Sequence, residues 1–586
     1  MLPISTPSQE RSATASKIPL TANNHRSGPG ERRVILWSWL AVAIFGLLQA
    51  IADRFYMNPD GTSYADLSDA YIRGDWHSAI STYWSPLYPL LLSVTFRLFH
   101  PSPYFESTAI HLLNFVLYLG CFAALQLFIF EIAKHRSSYL TASEELRFSR
   151  TSLLVLGTVT FLIATQYYLP LNLVTPDLCV AALALVAAAA ILRLERLGAS
   201  HTRLIGLGVI LGAGYLAKAA FFPIAFVFMA AALARRDHWR TILSQAMILL
   251  VAFFAIAGPN IFAIWKTRRY LTFADTGKLN YIWFVNGAFS AHFEHRGTAQ
   301  GIQTHPTRKI FANPNVYEFR TPIGGTYPVW FDPSYWHHGL HPKFDLGQQL
   351  TAFGSTSNAY RIMFLKATWF YFAWLILAIL QQICGIPLLR TLREYWRIAI
   401  PSLAALVAYW CVYVEDRYIA GFTVILCILL FASIRLPIHA VSQRLLKAAV
   451  IALVVATGVA LFPQFRHDVE FSSQPLPNLH WEVANALHRD FGLRDGDTIG
   501  CMGNCFYAYW ARLGKLRIVT EIPGEQTYVF RSSNPATQSA ALQSMARTGA
   551  QVVVTKTSVG DGWKRVGWTD YFAYDLRSQA QSPGSR

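Results

Sequence analysis

The strongest constraint on this chain is a repeated one: apolar runs near 20 residues long, separated by short segments rich in arginine and lysine. A helix rises about 1.5 Å per residue, so roughly 20 apolar residues cross the ~30 Å hydrocarbon core of a bilayer with their backbone hydrogen bonds satisfied internally. With 53% of 586 residues hydrophobic and 14% charged, the composition indicates an α-helical polytopic membrane protein rather than a string of soluble domains. The formal net charge of +17 does not argue for nucleic acid. The basic residues sit beside the apolar runs, where they suit membrane orientation and anionic headgroups.

Taken in order, the runs define a topology. Residues 1–33, rich in Ser, Thr, Pro and Asn without an apolar period, are expected to form a disordered cytoplasmic tail. The run from Val34 to Ile51 is too late and too long for an ordinary cleaved signal. Arg32 and Arg33 favour an uncleaved first span with its N-terminus inside. Pro86 to Phe99 is short and reads as an interfacial or re-entrant helix. Spans follow from Thr108 to Ala133, which ends in Lys134-His135-Arg136, from Thr151 to Leu169, and from Leu178 to the basic pair Arg193 and Arg196. Residues 204–234 are almost entirely apolar except for Lys218, and basic residues flank both ends, so they read as a hairpin of two short arms. Lys218 would then lie near its tip, in a cavity below the surface, where an ionisable group marks a functional site; snorkelling to the interface is the alternative. Further spans near 241–264, 363–386, 397–414, 418–434 and 446–462 bring the count to about eleven and place the C-terminus outside.

The membrane domain therefore covers 34–462, with extracytoplasmic loops at 52–107 and 265–362, and a small soluble extracytoplasmic α/β domain occupies 463–586. In that last part, helices at Trp481 to Phe491, Phe506 to Leu513 and Ala536 to Arg547 alternate with strands at Thr498 to Cys501, Leu516 to Ile522 and Gln551 to Lys556. It lacks a G-x-G-x-x-G fingerprint, so no nucleotide is assigned. The seven cysteines offer no zinc framework. Cys501 and Cys505 are the two in a soluble stretch, as a disulfide or as two free thiols.

Under this topology the unusual charges gather at the outer ends of the spans. Asp53 and Asp60 follow the first, with Tyr64 and the acidic Asp66, Asp69 and Asp75 close behind; the last three read mainly as helix caps. Asp177 joins the third and fourth, Lys218 marks the hairpin tip, and Arg268 and Arg269 follow the seventh. Glu415-Asp416-Arg417-Tyr418 joins the ninth and tenth, either as part of the same face or as a local surface ion pair. Acids and bases converging beside lipid suit a substrate with an apolar tail and a phosphate. Arg and Lys would hold the phosphate, and a carboxylate beside an acceptor hydroxyl would act as general base.

The order Asp60-Gly61-Thr62-Ser63-Tyr64-Ala65, Gly74-Asp75-Trp76 and Ser85-Pro86-Leu87-Tyr88-Pro89 resembles the first outer loop of lipid-dependent glycosyltransferases with the GT-C membrane fold. The resemblance is to the bacterial aminoarabinose transferase and protein O-mannosyltransferase group (glycosyltransferase family 39). Thr175-Pro176-Asp177, Leu216-Ala217-Lys218, Gly258-Pro259-Asn260 before Arg268-Arg269-Tyr270, and Asp416-Arg417-Tyr418 resemble that group's later landmarks in the same order. The resemblance implies transfer of a sugar from a polyprenyl-phosphate donor to an acceptor hydroxyl on a lipid, glycan or protein, with inversion, at the outer face of a bacterial inner membrane. It implies Asp60 as catalytic base and Asp177 as a second acidic residue, with Lys218, Arg417, Tyr418 and Arg269 at the donor phosphate. Asp53, Tyr64, Glu415 and Asp416 are further candidates. No cofactor is indicated with certainty; metal dependence varies within the wider fold, which leaves a divalent cation open. His337, His338 and His341 have ligand-like spacing but read better as a solvated cluster. One departure concerns Ser85, which stands where aminoarabinose transferases carry a lysine. A lipid-linked sugar flippase would use the same cations, and a non-catalytic assembly protein would need none of them. The visible lack of an internal repeat and the placement of the acids at span ends favour the enzyme.

Overall fold

The computed structural model describes residues 29–137, 145–234, 238–289, 292, 299–319, 323–557 and 560–577. Residues 1–28 of the expected tail, and Arg235-Arg236, lie outside them. A helix occupies each of the expected spans. The first, α1 (Pro29–Ala52), begins already at Pro29; the first loop then holds α2 (Pro59–Arg73) and α3 (Leu87–Phe99). The bundle continues as α4 (Glu106–Ser137), α5 (Arg150–Tyr167), α6 (Asp177–Leu197), α7 (His201–Ala217), α8 (Phe221–Leu233) and α9 (Trp239–Arg268). After the second loop come α10 (Leu346–Leu365), α11 (Thr368–Ile383), α12 (Trp396–Trp410), α13 (Asp416–Ser433) and α14 (Ala440–Ser473).

Six helical stretches among the described residues are long and apolar enough to cross a membrane: α1, Pro103–Arg136, α6, α9, α13 and α14. The helices α3, α7, α8 and α12 are apolar but shorter. The expected span at 363–386 is not one straight helix, because α10 and α11 meet at an 80° bend. At that bend Lys366 turns away to place its ammonium 2.6 Å from Asp416. Large apolar side chains stand exposed along α1, α9, α11 and α14, among them Trp37, Val251, Ile383 and Val459. Four helices exposing such residues would be a liability in water and are what a lipid-facing surface requires. The chain is a multi-pass α-helical membrane protein.

Charge is segregated to the two ends of the bundle. From Asp177 to Arg196 along α6 is 19 residues, about 29 Å of helix, close to a bilayer's hydrocarbon thickness. At the Arg196 end, Glu131 accepts from Arg196 at 2.9 Å, Glu195 from Arg397 at 2.8 Å and Glu394 from Arg435 at 2.7 Å. These are the clusters that the basic flanks assigned to one side. Asp60, Asp177, Lys218 and Arg417 meet at the other end.

Beyond α14 the chain forms a mixed sheet with α15 (Leu479–Phe491), α16 (Tyr509–Leu513) and α17 (Pro535–Ala546). Two of its strands, β1 (Arg308–Phe311) and β2 (Val316–Glu318), come from the second loop. The others are β3 (Thr498–Gly503), β4 (Arg517–Pro523), β5 (Val552–Thr555), β6 (Lys564–Arg565) and β7 (Phe572–Asp575). Their order across the sheet is β1-β2-β4-β3-β5-β7-β6. The central β3 runs parallel to β4 and β5, and β2 closes onto β4 antiparallel through Tyr317 opposite Glu521. Phe506 to Leu513, expected as one helix, is a 3₁₀ turn at Cys505–Tyr507 followed by α16.

This domain is clamped to the first loop by Arg512 of α16. Its guanidinium donates to Asp66 Oδ1 at 2.7 Å, Asp69 Oδ2 at 2.8 Å and Glu106 Oε1 at 2.8 Å, while Thr326 donates its N–H to Asp66 at 2.8 Å. Asp66, expected as a cap, is instead a buried cross-domain ligand, and burial pushes its carboxyl up from the usual range. Replacing Arg512 by Met would leave three carboxylates facing one another, and breaking such a buried pair costs about 3–5 kcal/mol. Arg512→Met is expected to lower the thermal midpoint markedly and to expose the C-terminal domain to limited proteolysis before the bundle; an unchanged cleavage pattern would contradict the clamp.

Candidate active site

The site begins with the turn that starts α2. Asn58 occupies the N-cap position with extended backbone, Pro59 follows, and Asp60 falls in the first turn, where the helix dipole favours a carboxylate. The Asn58 side chain does not cap its own helix; its Oδ1 accepts from the Val174 N–H at 2.9 Å. Gly61 makes that contact feasible, since a Cβ there would lie 2.6 Å from Val174 Cβ. The strand of chain leading into Thr175-Pro176-Asp177 is thereby laid against the start of α2.

Asp177 is the first residue of α6, and its side chain is 1% exposed. Lys218 ends α7 in an extended conformation and so breaks the hairpin at its tip. Its ammonium is 2.6 Å from Asp177 Oδ1 and 3.5 Å above the Tyr418 ring. The snorkelling alternative therefore does not describe it. Ser85 takes part here as well: its hydroxyl accepts from the Ala219 N–H at 2.9 Å, which holds the turn that carries Lys218.

Arg417 closes the group from α13. It donates to Asp60 Oδ2 at 3.0 Å and to Glu415 Oε2 at 2.6 Å, and its Nε is 3.8 Å from Asp177 Oδ2. The approach of α13 to α6 depends on Gly421, one turn beyond Arg417, because a Cβ there would lie 2.6 Å from the Ala181 Cα. Glu415 pairs with Arg417 locally, with its side chain 35% exposed, and does not line the cavity around Asp60. The other oxygen of Asp60 accepts from the Trp330 indole N–H at 3.2 Å. Asp60, Tyr64, Asp177, Lys218, Arg417 and Tyr418 line one cavity of about 70 Å3, together with Tyr83, Ser85 and Tyr409.

Other sequence candidates lie elsewhere. Asp416, next to Arg417, points to Lys366 on the far side of its helix turn. Arg269 is the exposed left-handed cap of α9, with φ 63°, while its neighbour Arg268 pairs with Asp332. Asp53 accepts from Asn172 at 3.1 Å, away from the Asp60 cavity. The ring of His337 is buried on the Pro333 carbonyl, and His338 lies against Tyr270 and His305. Among the described residues no group of three His, Cys, Asp or Glu side chains is arranged to hold a metal. A larger cavity of about 610 Å3 lies between α2 and the C-terminal domain, but three of its four acids, Asp66, Asp69 and Glu106, are already engaged by Arg512, and the fourth, Asp75, accepts from the Ser78 N–H. The residue that sequence reasoning missed is Trp330, which lies 270 positions from Asp60 in an aperiodic loop.

No family model and no curated protein sequence matches this chain. Solved structures do. The chain is similar to the oligosaccharyltransferase of Archaeoglobus fulgidus, with 12% identity and a TM-score of 0.49 over 88% of this chain and 67% of that one. It is also similar to ArnT from Cupriavidus metallidurans, bound to undecaprenyl phosphate, with 11% identity and a TM-score of 0.49 over 95% of this chain and 99% of that one. The oligosaccharyltransferase AglB from Archaeoglobus fulgidus, in complex with an inhibitory peptide and a dolichol-phosphate, has 13% identity and a TM-score of 0.46 over 90% and 70% of the two chains.

Two outcomes test this geometry. Lys218→Met leaves Asp177 buried without its closest cation and is expected to lose about 3 kcal/mol, whereas Lys218→Met with Asp177→Asn loses less than the single change. Equal losses in thermal denaturation would contradict the pairing. Asp53 is pushed up to about 6 by burial first and by the Asp468 carboxylate second. Because the folded value lies above the usual 3.8, the group favours the fold at low pH and ceases to do so as pH rises through about 6. Asp53→Asn is therefore expected to be more stable than the parent at pH 8, by on the order of 2–3 kcal/mol, and to lose that advantage near pH 4.

Proposed function

We propose that the protein is an integral membrane glycosyltransferase that moves a sugar from a polyprenyl-phosphate donor to an acceptor hydroxyl on the extracytoplasmic face, with inversion at the anomeric carbon. The observation that carries this reading is the sharing of Arg417 between Asp60 and Asp177, with Lys218 on the far oxygen of Asp177, at one end of a lipid-embedded bundle. Two fixed cations beside lipid match a substrate that is apolar except for its phosphate. A carboxylate held next to them matches the proton acceptor that an attacking hydroxyl requires.

In this reading the donor phosphate docks against Lys218 and Arg417. Arg417 exchanges part of its contact with Asp60 for the phosphate, and the freed carboxylate oxygen faces the acceptor hydroxyl. As the acceptor oxygen attacks the anomeric carbon, Asp60 takes its proton. The bond from that carbon to the phosphate oxygen breaks on the opposite side, and Lys218 and Arg417 stabilise the departing lipid phosphate, whose negative charge has increased. Tyr418, stacked under Lys218, holds the ammonium in place. A cavity of about 70 Å3 admits a few waters but not a sugar, so donor binding widens it. The lysine absent at Ser85 leaves donor contact to these two cations and argues against aminoarabinose as the sugar carried.

The test uses purified protein in lipid with a labelled polyprenyl-phosphate sugar. Asp60→Asn is expected to reduce transfer by roughly 10²–10⁴-fold, the usual contribution of a general base, with its thermal midpoint close to the parent's. Donor translocation between leaflets that persists in Asp60→Asn, with no transfer by the parent, would replace the enzyme by a flippase.

A further inference from the structure

Phe506 of the C-terminal domain reaches a ring that touches the site. Strand β3 ends at Gly503, with φ 116°, and the chain doubles back so that Cys505 is disulfide-bonded to Cys501 of the same strand. Of the two states open to these cysteines in the sequence, the bonded one is found. Both are buried, and the bond closes a tight loop at the C-terminal edge of the central strand. The next residue, Phe506, is thereby projected off the sheet.

Phe506 meets the short helix Pro328–Phe331 of the second loop. Its ring centroid is 5.2 Å from that of Trp330 at an interplanar angle of 75°, and 5.3 Å from Tyr327 at the same angle. Edge-to-face pairs of this kind contribute about 0.5–1.5 kcal/mol beyond area burial and fix a ring's tilt. Tyr327 is itself anchored to the sheet, donating its hydroxyl to Glu521 at 2.6 Å, and Glu521 stands opposite Cys501 in the β3–β4 register. On its other side Trp330 packs against Tyr83, Trp84 and Trp283, all from the bundle's own loops. Among the described ring contacts of Trp330, Phe506 is the one supplied by the C-terminal domain.

What Trp330 does with that orientation is donate its indole N–H to Asp60 Oδ1, which leaves Oδ2 to Arg417. An indole N–H can only donate. It therefore sets the rotation of the carboxylate without competing for a proton.

We propose that Phe506, held out by the Cys501–Cys505 disulfide, is a positioning residue for the transfer reaction: it fixes Trp330, and Trp330 fixes the carboxylate plane of Asp60. The inference rests on Asp60 being the base. It makes the C-terminal domain and its disulfide part of the catalytic geometry, although no residue of that domain lines the cavity.

The experiment measures kcat and KM for the lipid donor in Phe506→Ala, Trp330→Phe, the double variant, Phe506→Tyr and Cys501→Ala/Cys505→Ala. Phe506→Ala is expected to lower kcat by about 10-fold or more with donor KM within about twofold of the parent, since misplacement by an ångström acts on chemistry rather than on binding. Trp330→Phe keeps a ring but loses the N–H and is expected to lower kcat similarly. The double variant falls no further, because both changes act through one hydrogen bond. Phe506→Tyr restores activity, and the cysteine variant behaves as Phe506→Ala does. Phe506→Ala retains the disulfide, so a folding defect in the cysteine variant does not obstruct the test. Unchanged kcat in Phe506→Ala, a rise in KM alone, or multiplicative losses in the double variant would overturn the proposal. Full transfer by Asp60→Asn would instead overturn the functional reading beneath it.

Discussion

Arg417 is the common counterion of three carboxylates, two of which sequence places far from it. Asp60 is 357 positions upstream, Asp177 begins a different helix, and Glu415 occupies the N-cap position of Arg417's own without a side-chain cap bond. Near lipid, water does not screen such charges, so each alone would be costly to hold. The side chains of Asp177, Arg417 and Asp60 are 1%, 11% and 18% exposed, which is burial enough that each charge needs a partner. Helix positions follow from this. The starts of α2, α6 and α13 and the broken tip between α7 and α8 must all arrive at one end of the bundle for the charges to be paired.

Small residues make that arrival sterically feasible. Gly61 lets the start of α2 touch Val174, and Gly421 lets α13 touch Ala181, so a close approach lies beside the charged group on each of these helices. Packing between apolar helices in lipid has little hydrophobic drive, and close contact through small residues supplies it instead. The geometry of the acids and bases is therefore a result of helix packing. The ion pairs complete an arrangement that the glycines permit.

Much of this was legible in the sequence, for identifiable reasons. Alternating basic flanks are a property of local composition, and they sorted the span ends correctly into two groups. Asp60, Asp177, Lys218 and Arg417 each sit at the end of an apolar run, so parity alone sends them to one face. Asp416 and Arg269 share that parity yet miss the cavity, because neighbours on a helix turn point about 100° apart and parity says nothing about rotation. Arg512 and Trp330 were not legible: each is an ordinary residue in a soluble stretch until the fold brings it to Asp66 or Asp60. The bend between α10 and α11 was hidden by a run of continuous hydrophobicity across Lys366. Strands β1 and β2 are too short to announce themselves, with four and three residues, and the outer partner of β2 is about 200 positions downstream.

That last pairing governs how the protein can be made. Val316–Glu318 leaves the ribosome long before Arg517–Pro523, so the loop has an open strand edge while α10 to α14 are still being made. An open edge is a template for wrong partners. The sheet is complete only once the tail arrives to pair with that edge. A gene fragment stopping after α14 would encode a membrane bundle with an unprotected β-hairpin, not a shorter version of the same protein.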